Sequence, residues 1–102
     1  MRFLCSELVV LKRGSRQSTV NLEEIWTNGA AIETDDVLET GETVELECGE
    51  NRFPATVTLV AKHEFGCRVE MEFPQGVTWS PEVFQPHHML DPQSLVAKKA
   101  EN

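Results

Sequence analysis

The sequence has no tyrosine, only three cysteines, and no apolar run near the about 20 residues that a membrane-spanning helix needs. The three cysteines, Cys5, Cys48 and Cys67, are odd in number and form no C-x-x-C pair. Neither a disulfide framework nor a cysteine zinc site is therefore predicted. Residues 1–5 lead straight into a strand-like segment, so no secretory signal is expected. Buried, reduced thiols and a cytoplasmic location are expected.

Positive charge is also scarce. The chain has nine lysines and arginines and 17 acidic residues, which gives a formal net charge of -8. Phosphates would be repelled over most of such a surface, so DNA, RNA and anionic membranes are not predicted partners. Lys12, Arg13 and Arg16 form the one concentrated basic patch. It could hold a small anion through charge-assisted bonds, or it could only make a hairpin tip soluble.

The 102 residues suffice for one domain with its own core. Alternation of apolar and polar residues with a period of two predicts six β-strands, over residues 6–11, 18–25, 29–33, 43–48, 53–63 and 67–73. In the fifth strand the pattern predicts one buried face, made by Phe53, Ala55, Val57, Leu59 and Ala61. We expect the domain to cover residues 1–90, with a frayed tail over 91–102.

Turn residues separate these strands. Residues 12–16 predict a hairpin loop, Asn28-Gly29 predicts a second turn, and Gly41 offers a position of positive φ. Short turns between six strands favour a small antiparallel barrel or a sandwich, and closure removes exposed sheet edges. The pattern therefore predicts an all-β fold of six antiparallel strands and leaves the choice between barrel and sandwich open.

A short helical segment is predicted after the last strand. Ser80 could cap its N-terminus, and proline at the next position suits the first turn of a helix. Pro86 limits the segment to about one turn. Trp79, Val83 and Phe84 are predicted to cover an open end of the barrel.

Few residues suggest catalysis or metal binding. His87 and His88 could ligate a metal, but no third ligand is suggested and adjacent side chains diverge. His63 and Cys67 could form a nucleophilic dyad, yet Cys67 begins the clearest core-facing pattern, which favours a buried, inert thiol. No phosphate-binding loop, nucleophile elbow or zinc-protease motif is present. The chain is therefore not predicted to be an enzyme, and no cofactor is expected.

Residues 9–73 nevertheless resemble the PilZ domain family. The resemblance lies in the order of strands and in the segments "EIWTNGAAI" and "LETGETVEL". It implies a six-stranded antiparallel β-barrel with a short C-terminal helical segment, and this all-β barrel is the fold class predicted. Many members of the family bind cyclic di-GMP, a bacterial second messenger with two guanines and two phosphates. An R-x-x-x-R segment before the first barrel strand and a D/N-x-S-x-x-G motif at the second hairpin carry that activity.

The second motif aligns with residues 24–29, where only Gly29 is kept. Glu24 replaces the family's aspartate or asparagine and Trp26 replaces its serine. The first motif has a spacing match at Lys12 and Arg16, but these lie between the first two predicted strands. Before the first strand the chain offers Arg2 alone, so the arginine clamp is expected to be missing.

Two functions stay open at this point. The favoured one is a degenerate PilZ-like signalling adaptor that binds an unidentified protein partner, with weak or no binding of cyclic di-GMP. The other is a cyclic di-GMP receptor in which Arg2, Lys12 or Arg16 holds phosphates and Trp26 stacks on a guanine. A third, much weaker hypothesis is a small hydrolase that uses Cys67 and His63.

Overall fold

The structure, a computed structural model, describes residues 1–90, and the predicted tail 91–102 lies outside them. Every pairing between neighbouring strands is antiparallel, and the six strands close into a barrel in the order β1-β2-β3-β6-β5-β4. The predicted all-β barrel is confirmed. The strands are β1 (Phe3–Arg13), β2 (Arg16–Trp26), β3 (Gly29–Thr34), β4 (Thr43–Cys48), β5 (Asn51–His63) and β6 (Gly66–Glu72).

The barrel consists of two three-stranded meanders, β1-β2-β3 and β4-β5-β6. Residues 35–42 join the meanders and bring β4 beside β1, while β6 pairs with β3. The β1–β4 pairing covers only Val10 to Lys12 on β1. Nearer its start, β1 bonds instead to the C-terminal segment, where Leu4 and Leu90 exchange N–H to O bonds of 2.8 and 2.6 Å. This segment covers an edge that β4 leaves open.

Inward-facing side chains from all six strands meet in one core. Its largest fully buried members are aliphatic, as the alternating pattern predicts for strands with one solvated face. They include Leu11, Leu22, Ile25, Ile32, Leu46 and Met71. Phe53 and Phe73 stack at 5.1 Å between ring centroids inside this core.

The predicted buried face of β5 is wrong beyond Val57. The pairing of β5 with β6 shifts between Val57 and Leu59, which marks a β-bulge. An extra residue in one strand reverses the faces that follow it. Leu59 and Ala61 consequently face solvent, and Val60 packs on the core instead.

This reversal gives a mutational prediction. Val57→Ala should lower the free energy of unfolding by about 2 kcal/mol, because Val57 is 1% exposed and a cavity would remain. Leu59→Ala should cost no more than about 0.5 kcal/mol, because Leu59 is 50% exposed. Urea unfolding of both variants measures the difference. Equal losses of unfolding free energy would contradict the β-bulge, because they would indicate that Leu59 is as buried as Val57.

Both predicted hairpin turns are shifted or shortened in the structure. The loop predicted over residues 12–16 is a two-residue turn, Gly14-Ser15, since Arg13 and Arg16 already pair. Gly14 has φ of 64°, as the first central position of a type II′ turn requires. The second turn is Thr27-Asn28 rather than Asn28-Gly29, because Gly29 pairs with Trp26 as a strand residue.

The predicted C-terminal helix does not form within residues 1–90. The Ser80 carbonyl accepts bonds from the N–H groups of Val83 (3.0 Å) and Phe84 (3.2 Å), which makes a single turn. The Phe84 carbonyl then accepts the indole N–H of Trp79 at 2.7 Å, and Pro86 follows. A carbonyl bonded to a side chain and a proline two residues later both stop a helix from continuing. Trp79 is buried in the core and Phe84 packs against it, whereas Val83 is exposed.

Candidate functional site

Small residues on the outer face of β3 define the candidate site. Ala30 and Ile32 point into the core, so Gly29 and Ala31 lie on the outside of the barrel. Ala31 is nevertheless fully buried, because longer side chains from β2 and β6 cover it. We call this part of the surface the Trp26 corner, and it comprises Arg2, Glu23, Glu24, Trp26, Gly29, Arg68 and Glu70.

The indole of Trp26 lies against the backbone of Gly29, its partner across the β2–β3 hairpin. A β-carbon built at Gly29 would lie 2.6 Å from the indole atoms Cε2 and Nε1, and 2.6 Å from the Met71 carbonyl oxygen. No side chain fits into that space. Glycine is therefore required here by a close approach of the ring and not by a turn conformation.

Arg2 covers the Trp26 ring. Its guanidinium carbon lies 3.8 Å from the ring centroid, within cation–π distance. Its two terminal nitrogens donate to the two carboxylate oxygens of Glu70 at 3.4 and 3.3 Å, and Glu24 lies 3.9 Å away. The Arg2 side chain is 47% exposed, while those of Glu24 and Glu70 are only 16% and 19% exposed. The carboxylates thus form the fixed part of the site and Arg2 forms its outer layer.

Arg68 is the second cation of the corner. It lies on β6 and reaches across β3 to β2, where it donates to Glu23 at 3.0 Å and also bonds to Glu24. Glu70 lies 3.6 Å from the same guanidinium. Burial alone would lower the pKa of Arg68, but the hydrogen bonds and charges of Glu24 and Glu23 outweigh it and raise that pKa. Arg68 therefore stays charged, and its bonds link β6 to β2 across β3.

The charges of the corner do not suit an anion. Three carboxylates, those of Glu23, Glu24 and Glu70, surround the two guanidinium groups. A phosphate would have to displace carboxylates from both arginines and would meet their negative charge at close range. The arrangement instead favours a cation in contact with the ring.

The structure separates the other two predicted ligand residues from this corner. Lys12 and Arg16 lie at the far end of the β1–β2 hairpin, about 30 Å from Arg2 at the rise of an extended strand. Lys12 pairs with Gln17, and Arg16 with Arg13, so the two side chains leave opposite faces of the hairpin. Their K-x-x-x-R spacing does not produce a shared clamp.

Lys12 also has a partner of its own. Its ammonium group lies 2.6 Å from a carboxylate oxygen of Glu47, and that hydrogen bond lowers the pKa of Glu47. Arg16 lines a hollow of about 70 Å³ together with Arg13 and Asp36. Such a volume holds ordered water but not a nucleotide.

The structure brings together four of the six residues that the sequence suggested for ligand binding, and it adds three others. Arg2, Glu24, Trp26 and Gly29 come together around the second hairpin. Arg68, Glu70 and Glu23 are not among the residues suggested from the sequence. The missing information was the pairing of β6 with β3, which brings the Arg68 and Glu70 side chains beside β2.

The possible Cys67–His63 dyad has no supporting geometry. The Cys67 side chain is buried with the core. The imidazole of His63 contacts Glu33 through Nε2 and accepts the Phe65 N–H through Nδ1 at 3.2 Å. Both ring nitrogens therefore already have partners other than the thiol.

The other two cysteines are poor nucleophiles at neutral pH. Burial raises the pKa of Cys5 to about 12, with a further contribution from the charge of Glu7. Burial likewise raises the pKa of Cys48 to about 12. A thiol with such a pKa is almost wholly protonated at neutral pH.

His87 and His88 do not share a ligand in the structure. His87 contacts Glu7, which accepts its backbone N–H at 2.6 Å and lies 2.9 Å from Nδ1. Within residues 1–90, no three His, Cys, Asp or Glu side chains group as a metal site. Over the same residues, no helix has the length and apolarity to cross a membrane.

Comparison of the chain with protein-family models, with curated proteins and with solved structures gives no match in any of the three. Function is therefore inferred from the geometry and charge of the Trp26 corner.

Proposed function

We propose that the chain is a PilZ-like signalling adaptor that binds a protein partner, with weak or no affinity for cyclic di-GMP. The single observation that carries this proposal is the state of the two arginines at the second hairpin. Arg2 and Arg68 both bond to carboxylates of the same corner. Neither is free to bind a phosphate without losing those bonds.

The energetic consequence for a dinucleotide is large. Hydrogen bonds to charged groups contribute about 1.5–3 kcal/mol each. If cyclic di-GMP lacks two such bonds to arginine, its affinity for the protein falls by several decades. Nearby carboxylates add repulsion at the distances found here. The surface charge of the chain, -8 overall, supports a protein partner over a nucleic acid or an anionic membrane.

The alternative is a cyclic di-GMP receptor with an unusual site, and one observation favours it. The face of Trp26 that Arg2 covers is accessible once Arg2 moves, and a guanine could stack there. Stacking on an aromatic ring contributes about 1–3 kcal/mol per base. This must compensate for the ion pairs that the ligand breaks, so the adaptor is preferred.

The proposal contains no catalytic step and no cofactor. A reducing, cytoplasmic location is part of it, because its three cysteines are free thiols. Signalling in bacteria is taken from the family resemblance alone.

Calorimetric titration of the purified protein with cyclic di-GMP tests this proposal. The adaptor hypothesis predicts no binding heat in the micromolar range. Micromolar or tighter binding would overturn it. Trp26→Ala is the matched variant for the alternative, since a stacked guanine requires the ring and loss of binding in this variant would establish the receptor function.

A further inference from the structure

The Trp26 corner already contains a bound arginine side chain, which is that of Arg2. An aromatic ring lies on one side of the guanidinium, at 3.8 Å. Two carboxylate oxygens of Glu70 face its terminal nitrogens, and Glu24 lies beside it. A flat, charged group with paired N–H donors matches this arrangement in shape, charge and hydrogen bonding.

We propose that the Trp26 corner is the docking site for an arginine side chain of the protein partner, and that Arg2 occupies this site in the free protein. This inference rests on the proposed adaptor function and specifies the partner's chemistry. The partner supplies an exposed arginine in a cationic segment, which the acidic surface of this chain attracts.

Arg2 is suited to be displaced. It precedes β1, so its departure breaks no strand pairing, and nearly half of its side chain is exposed. Exposed ion pairs and exposed cation–π contacts are weak and sensitive to salt. Arg68 has a different role, because it is less exposed and bonds to carboxylates of β2. It remains as a fixed part of the site.

The charge left after displacement favours a cation again. Without Arg2, the carboxylates of Glu23, Glu24 and Glu70 are balanced by Arg68 alone. The open site is therefore more negative than the closed one, and it rejects a phosphate more strongly. Glu70 can accept from two nitrogens at once, which selects the guanidinium fork over the point charge of lysine.

The two tryptophans provide a direct readout. The Trp79 indole N–H is buried and bonded to the Phe84 carbonyl, so its NMR signal serves as an internal reference. The Trp26 indole signal reports the corner, and Trp26→Phe assigns it. N-acetyl-arginine amide is the probe, with N-acetyl-lysine amide for comparison.

Arg2→Ala should bind the arginine probe about tenfold more tightly than the wild-type protein, because the internal competitor is gone. The Trp26 signal should move and the Trp79 signal should not. Arg16→Ala, which removes an arginine at the far end of the hairpin, should behave as wild type. Adding Glu70→Gln to Arg2→Ala should weaken binding of the probe again.

Two results would overturn the inference: Arg2→Ala binding no more tightly than wild type, or lysine amide binding as well as arginine amide. Titration of the same samples with cyclic di-GMP separates this failure from a failure of the proposed function. A saturable shift of Trp26 with cyclic di-GMP would overturn the adaptor function itself. No shift with cyclic di-GMP, together with a failed arginine titration, would remove only the arginine site.

Discussion

Trp79→Ala is expected to lower the free energy of unfolding by about 3–5 kcal/mol. The side chain is 3% exposed and meets Phe3 edge-on, at 5.6 Å between centroids. Its indole N–H donates to the Phe84 carbonyl at 2.7 Å, which would lose its partner. Urea unfolding followed by circular dichroism measures the loss.

Two matched variants make this result interpretable. Trp79→Phe keeps an aromatic ring but removes the indole N–H, so it should lose less than the alanine variant and should remain folded. Val83→Ala, in the same segment, should cost at most about 0.5 kcal/mol because Val83 is 46% exposed. If Trp79→Ala were as mild as Val83→Ala, the C-terminal segment would not be anchored on the barrel as described.

Gly29→Ala is expected to cost about 3 kcal/mol, near the upper end of typical overpacking effects. The new methyl group would lie 2.6 Å from both the Trp26 ring and the Met71 carbonyl oxygen. The ring can move, but the carbonyl belongs to the pairing of β3 with β6 and cannot move easily. Urea unfolding measures the loss, and Trp26 fluorescence reports movement of the ring.

The double variant Gly29→Ala with Trp26→Ala separates the two clashes. Part of the stability lost in Gly29→Ala should return, since the indole is gone while the Met71 carbonyl remains. Thr27→Ala is the control in the exposed turn next to it, and should be nearly neutral. A stable Gly29→Ala protein with unchanged fluorescence would show that the indole does not rest on Gly29.

Local patterns were sufficient to predict the six strands, because each strand alternates over several residues and turn residues separate them. They left a barrel or a sandwich open, and the family resemblance favoured the barrel. The alternation wrongly predicted that Leu59 is buried. A single extra residue in β5 reverses the inward and outward faces of the strand, and the composition gives no sign of it. It also could not place the end of β2. The pair Trp26–Gly29 looks like part of a turn in sequence, yet the two residues face each other across the hairpin.

The site was harder to predict because it depends on strand order. Arg2, Glu24 and Trp26 are close because β1 and β2 form a hairpin, and the local sequence predicts that hairpin. Arg68 and Glu70 join them only because β6 pairs with β3, and sequence alternation carries no information on that choice. Lys12 and Arg16 match the spacing of the family's first motif, but cross-strand pairing places the two side chains on opposite faces.

One claim is central: the Trp26 corner is proposed to hold a cation among carboxylates and not to bind a phosphate ligand. NMR spectra of the two indole N–H groups during titration with cyclic di-GMP test it most directly. The account predicts that the Trp26 and Trp79 signals both stay in place through the micromolar range. A saturable shift of the Trp26 signal, with Trp79 unmoved, would contradict it.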